Sequence, residues 1–110
     1  MAEYVKEAGQ KPIAWTSREK KIFAQLEDLA RRYDVGKLVL FGSRARRTHA
    51  ERSDVDLAVY GCSDFLNFSF DVDEKVETLL SFDVVNMDEA PSAELVAEIE
   101  RDGVTLYEKV

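Results

Sequence analysis

The chain has 110 residues, of which 45% are hydrophobic and 34% charged, which is enough for one core and excludes two, because single cores usually run to about 100 to 150 residues. Its apolar runs are shorter than the roughly 18 to 20 residues that cross a bilayer, and no signal-peptide pattern opens it, so we expect a cytoplasmic protein without a membrane segment. One cysteine, Cys62, and one histidine, His49, exclude an internal disulfide and a Cys/His zinc site, which leaves oxygen ligands for any metal.

The net charge is −7, and its sign changes along the chain. Residues 1–53 hold 12 Lys and Arg against 7 Asp and Glu, whereas residues 54–110 hold 3 against 15. An acidic protein binds nucleic acid poorly, because that binding depends on neutralising phosphates. We therefore expect no general nucleic-acid binding, although a small basic patch could hold one nucleotide.

The first elements in chain order are an arm and a helix. Residues 1–15 show no hydrophobic period, and we interpret them as an arm that docks through Tyr4 and Trp15 on another surface, which favours a homo-oligomer or a heterocomplex. Residues 16–110 form the predicted domain. Thr16 and Glu19 have the spacing of a capping box, and apolar residues then recur at helical intervals, so a helix is predicted over about 17–33.

A small sheet with further helices is predicted for the rest of the chain. Short apolar runs predict strands at 37–41, 55–60, 82–86 and 104–107, and helical spacing predicts helices at about 71–80 and 91–102. This order predicts an α/β (α+β) fold, a small mixed sheet with helices packed on it. Residues 62–70 are predicted to be loop and the start of a helix. Four apolar residues crowd this segment and form either core, which we favour, or an exposed patch: Phe65, Leu66, Phe68 and Phe70.

Gly42 and Ser43 stand where the first long strand meets an arginine-rich segment. Glycine lets a ligand approach the backbone, and main-chain N–H groups together with the serine hydroxyl could receive a phosphate at a helix N-terminus. The alternative is an ordinary tight turn.

Three aspartates indicate a metal site. Asp54 and Asp56 lie two residues apart on a strand, so their side chains share a face about 6 to 7 Å apart. At an effective dielectric of about 20 they repel by about 2.5 to 3 kcal/mol, which a divalent cation between them would relieve. Asp83, on a strand that could pair with theirs, would complete a two-metal site for phosphoryl or nucleotidyl transfer. The alternatives are a solvated strand end for the pair and an exposed strand aspartate for Asp83.

These residues resemble a known family. Three segments carry the resemblance: Gly42-Ser43-Arg44-Ala45-Arg46-Arg47, Ser53-Asp54-Val55-Asp56-Leu57, and Asp83 in Phe-Asp-Val-Val. Together they resemble the minimal nucleotidyltransferases of the DNA polymerase β superfamily. Their pattern is Gly-Ser, a short spacer, Asp-x-Asp and a third carboxylate on a later strand. The resemblance runs from about residue 17 to the C-terminus and implies the polymerase β-like nucleotidyltransferase fold.

The resemblance also implies roles for these residues. Gly42 and Ser43, with Arg46, would bind the phosphates of a nucleoside triphosphate, most often ATP. Asp54 and Asp56 would bind Mg²⁺, and Asp83 would complete a second metal position and help the incoming hydroxyl lose its proton. The reaction would transfer a nucleoside monophosphate and release pyrophosphate.

Small members of this family are often paired with a helical HEPN protein, so the resemblance implies an antitoxin that adenylylates such a partner. The alternative is a non-catalytic partner-binding module, or a nucleotide sensor, with a vestigial site.

One departure from the family pattern bears on this choice. Members commonly have glycine where this chain has Arg47, and arginine would be strained there by about 1 to 2 kcal/mol at positive φ. We therefore expect a slightly different loop here. The loop arginines, Arg44, Arg46, Arg47 and Arg52, would neutralise triphosphate, face a partner or be solvated.

Overall fold

The computed structural model describes residues 5–6 and 14–110, which form five strands and four helices. The strands are β1 (Val5–Lys6), β2 (Lys37–Phe41), β3 (Val55–Tyr60), β4 (Phe82–Asn86) and β5 (Val104–Glu108). The helices are α1 (Ser17–Arg32), α2 (Ser43–Arg46), α3 (Phe65–Lys75) and α4 (Ala93–Asp102). None of the helices in these ranges is long and apolar enough to cross a membrane.

One mixed sheet has the strand order β1-β5-β2-β3-β4. β2 runs antiparallel to β3, whereas β3 and β4 are parallel. The end of β2 therefore meets the beginnings of β3 and β4 at one edge of the sheet, which we call the site edge. There Phe41 is the register partner of Asp56, and Asp56 is the register partner of Asp83.

Helices cover both faces of the sheet. Leu38, Leu40 and Leu57 point to one face and pack with α1 and α3 in the larger core. The alternating residues Val39 and Ala58 point to the other face and pack with α4 in a smaller cluster. Side chains two residues apart on a strand share a face, so the strand aspartates stand on the α4 side.

The beginning of α1 confirms the predicted capping box. The Thr16 hydroxyl accepts a hydrogen bond from the Glu19 amide at 3.1 Å, and the Glu19 carboxylate accepts one from the Thr16 amide at 3.1 Å. Trp15 is buried and packs edge-to-face on Phe23, with ring centroids 5.0 Å apart. The rest of the predicted arm, apart from the β1 backbone, lies outside the described residues, and the boundary at residue 15 stays a prediction.

The helix predicted at 71–80 is misplaced, because α3 begins at Phe65 and ends at Lys75. Phe68, Val72 and Val76 are buried at intervals of four residues, which fixes the helix face that packs on the sheet. The preference for core holds for Phe68 and is wrong for Leu66 and Phe70, whose exposures are 81% and 61%. Those two residues lie on the opposite side of the helix.

Candidate active site

Gly42 is required at its position for two physical reasons. Its φ of +77° is a conformation that side chains rarely adopt. A Cβ there would also lie 2.1 Å from the Oδ2 atom of Asp56. The turn after β2 is therefore built against the carboxylate of β3, and this contact brings Gly42 and the half-buried Ser43 to the predicted metal site.

The three predicted aspartates come together at the site edge. Asp56 and Asp83 are register partners on parallel strands, which lie about 4.7 to 4.9 Å apart, and Asp54 lies two residues before Asp56, directly ahead of β3. Burial raises the pKa of Asp56 to about 6, and the negative charges of Asp83, Asp54 and Glu98 add to this effect, while Arg46 opposes it. Four carboxylates and one arginine thus share one electrostatic environment.

This donor set fits Mg²⁺ chemically. Among the residues that the structure describes, no three Asp, Glu, His or Cys side chains are close enough together to hold one ion. Proteins usually bind Mg²⁺ through one or two carboxylates and leave the other positions to substrate phosphates and water. A divalent cation would also relieve the repulsion that raises the pKa of Asp56.

Two of the loop arginines are bound to a buried carboxylate that the sequence indicated only as a helix cap. Arg47 donates to both oxygens of Glu19, at 2.7 and 2.9 Å, and stacks over the Trp15 ring at 4.8 Å. Arg44 donates to Glu19 at 3.3 Å and to the carbonyls of Glu51 and Ser53 at 3.0 Å each. These contacts join α1, α2 and the loop before Asp54.

Arg47 adopts φ +61°, so the expectation of a different loop is wrong at this residue. The left-handed conformation is present without glycine, and the paired hydrogen bonds to Glu19 offset its strain. Neither Arg44 nor Arg47 is a solvated loop residue, and neither is free to neutralise a triphosphate.

The pKa values of Glu19 and His49 are both lowered. Burial alone would raise the pKa of Glu19, but the hydrogen bonds and charge of Arg47 and the hydrogen bonds of Thr16 lower it to about 2. His49 Nε2 lies 3.9 Å from Glu19, and its pKa is lowered by burial and by the charges of Arg44 and Arg47. His49 therefore lies with the Glu19, Arg44 and Arg47 ion pairs and not with the aspartates.

Arg46 points the other way. It pairs with Glu98 at 3.2 Å and with Asp102 at 3.9 Å, both on α4. Only Arg46, of the three arginines at 44, 46 and 47, lies in the field of the aspartates. Sequence reasoning missed Glu98, because it is one of several acidic residues on an amphipathic helix.

A cleft of about 670 Å³ opens beside the site edge. Asp54 lies on its wall together with Arg18, Arg52 and residues 77–81. Of the described site residues, Asp54 alone lines this cleft, whose wall carries charges of both signs.

A mixed sheet that places a Gly-Ser turn against an Asp-x-Asp strand, with a third carboxylate on the parallel neighbour, defines a nucleotidyltransferase-type domain. The family described as "Polymerase beta, Nucleotidyltransferase" matches residues 24–110. The chain belongs to this family, which confirms the resemblance and the fold class expected from the sequence.

Three of the solved structures to which this chain is similar are toxin–antitoxin structures. A mutant of the pair MntA–HpeT matches with a TM-score of 0.62 and 20% identity, over 79% of this chain and 73% of the other. A toxin–antitoxin structure with AMP-PNP matches at 0.61 and 23%, over 86% and 75%. The tri-AMPylated HEPN toxin of Shewanella oneidensis in complex with MNT antitoxin matches at 0.58 and 19%, over 84% and 73%. A search of curated proteins gives no significant match.

Proposed function

We propose that this protein is a Mg²⁺-dependent nucleotidyltransferase that transfers a nucleoside monophosphate to a hydroxyl on a HEPN-type partner or on a substrate bound by that partner; AMP from ATP is the favoured group, and another nucleoside monophosphate is the alternative. It would act as the antitoxin of a toxin–antitoxin pair. The observation that carries the proposal is the position of Asp56, which lies against Gly42 and beside Asp83 in the sheet. The similar structures named above, with AMP-PNP and with an AMPylated HEPN toxin, support the choice of nucleotide and partner.

Each residue has a defined part in this reaction. Gly42 and Ser43 bind the triphosphate at the turn, with Arg46 beside them. Asp54 and Asp56 would hold Mg²⁺, with Asp83 at a second metal position; the metal bound there would stabilise charge on the phosphoryl oxygens. Asp83 accepts the proton of the incoming hydroxyl. The hydroxyl oxygen bonds to the α-phosphorus as the bond to the β-phosphate oxygen breaks, and pyrophosphate leaves.

The non-catalytic alternative loses its main argument in this structure. That reading depended on Arg47 in place of the usual glycine. Because Arg47 adopts the left-handed conformation and is held by Glu19, the turn keeps its course without glycine. We therefore expect the turn to be competent for binding phosphate.

The proposal is tested by label transfer. The purified protein, with its co-expressed HEPN-type partner, is incubated with each of four NTPs labelled at the α-phosphate, with and without Mg²⁺. We expect Mg²⁺-dependent labelling of the partner from one nucleotide, and loss of labelling in Asp56→Asn. Asp73→Asn removes the same charge from an exposed position on α3 and should label normally. A partner that is neutralised but never labelled would refute transfer and support the binding module.

A further inference from the structure

The arginines near the turn differ in how easily they can change partners. Arg44 and Arg47 bind Glu19, whose side chain is 4% exposed, so releasing either would leave a buried charge poorly paired. Arg46 and Glu98 are 39% and 33% exposed. Exposed ion pairs are weak, so Arg46 can exchange its partner at little cost.

The phosphates of a bound nucleotide would offer Arg46 a second ion-pair partner. Arg46 lies three residues after Ser43, at the end of the short helix α2. Its positive charge lowers the pKa of Asp56. A triphosphate bound at the Gly42–Ser43 turn would therefore place phosphate oxygens in competition with Glu98 for the same guanidinium. Phosphate oxygens are strong acceptors for arginine.

We propose that Glu98 is a positioning residue that holds Arg46 beside the aspartates in the nucleotide-free protein and releases it to the triphosphate. This inference rests on the proposed function. In the exchange Arg46 replaces a carboxylate with a phosphate oxygen, and no covalent bond forms or breaks. Glu98 thereby keeps the guanidinium in place at a cost in nucleotide affinity, and Asp102, at 3.9 Å from Arg46, supports it.

The test is calorimetric titration of ATP into the full chain at saturating Mg²⁺. Since Glu98→Gln removes the competing carboxylate, we expect ATP to bind about twofold to fivefold more tightly than to the wild type, within the range that an exposed ion pair allows. Glu100→Gln makes the same change at an exposed position on the same helix and should leave the affinity unchanged. Arg46→Gln should weaken binding, and adding Glu98→Gln to it should give no further gain.

Each other outcome overturns the inference in a distinct way. Equal or weaker binding by Glu98→Gln would show that the carboxylate does not compete. A gain that persists without Arg46, or that also appears in Glu100→Gln, would be an effect of net charge. If neither the wild type nor any variant binds ATP, the proposed function fails together with the inference. Should Glu98→Gln not fold, Asp102→Asn tests the same exchange, with a smaller gain expected.

Discussion

At Arg47, two effects of opposite sign act on one residue. Its φ of +61° costs about 1 to 2 kcal/mol for a residue with a Cβ, whereas its hydrogen bonds to the buried Glu19 carboxylate contribute more than this, because charged partners are involved. The net contribution of Arg47 to the stability of the fold is therefore favourable. This explains why arginine can stand where the family commonly has glycine.

The balance can be measured with two variants. Arg47→Gly removes the hydrogen bonds and the strain together, so we expect a net loss of about 1 to 2 kcal/mol in the free energy of unfolding. Arg47→Ala removes the hydrogen bonds and keeps the strain, and should be about 1 kcal/mol less stable than the glycine variant. Urea unfolding of the three proteins gives both differences. A glycine variant more stable than the wild type would show that strain dominates.

Single residues differ in how well the sequence reveals them. Asp54, Asp56 and Gly42 were predictable, because two aspartates on one strand face, or a glycine at the end of a buried strand, need a physical reason. Glu19 showed only its capping role, since nothing in a capping box indicates that two arginines from residues 44–47 will meet it. The role of Glu98 was not predictable, because its proximity to Asp56 and Arg46 depends on how α4 packs on the sheet.

At the scale of elements, a buried ion cluster joins α1, α2 and the loop before β3. Glu19 accepts hydrogen bonds from both Arg44 and Arg47, and Arg44 donates to the carbonyls of Glu51 and Ser53. The turn and the strand that carries the aspartates are thus held relative to each other.

Glu19→Gln should destabilise the protein by about 3 kcal/mol at pH 7, because two arginines lose their buried anion. The folded pKa of Glu19 is about 2, against a usual 4.5. The stabilisation is therefore fully present above about pH 4.5 and is lost as the pH falls toward 2, so the difference between variant and wild type should shrink over that window. Denaturant unfolding at several pH values measures it.

Thr16→Ala is the matched control for this prediction. It removes the other half of the capping box at about 1 kcal/mol but leaves both arginines paired with Glu19. An equal loss in the two variants would assign the effect to the cap and not to the ion cluster.

The displaced boundary of α3 shows where patterns along the chain mislead. The stripe Phe68, Val72 and Val76 has helical spacing, but the aromatic run from Phe65 to Phe70 has no period by itself. Which of its residues are buried depends on how the helix lies on the sheet. The strands β2 to β5 were located well because each is a short apolar run bounded by turn residues, whereas the two-residue strand β1 was not predicted.

At the scale of the whole molecule, the sheet joins the two oppositely charged halves of the chain. The Gly42–Ser43 turn and Arg46 come from the basic half, whereas the aspartates and Glu98 come from the acidic half. The strand order that places β2 between β5 and β3 brings them to one edge. Folding therefore gathers like charges around Asp56, and the free protein is less stable for it.

The repulsion between these carboxylates should lower the free energy of unfolding that is measured without metal. Because the pKa of Asp56 is raised to about 6 from 3.8, the native state binds more protons than the unfolded state between those values, so its stability falls as the pH rises from about 4 to 6. In EDTA at pH 7, Asp56→Asn should be about 1 to 2 kcal/mol more stable than the wild type, less than the full shift implies because partial exposure screens the charges. At pH 4 the difference should nearly vanish.

Mg²⁺ should reverse this order. Bound between the carboxylates, it stabilises the wild type in proportion to its occupancy and leaves the asparagine variant almost unaffected, since one of its ligands is gone. Asp73→Asn, on the exposed side of α3, should follow the wild type with and without the metal. A variant at Asp56 that is less stable than the wild type in EDTA would show that the carboxylate is held by compensating contacts and is not a strained metal ligand.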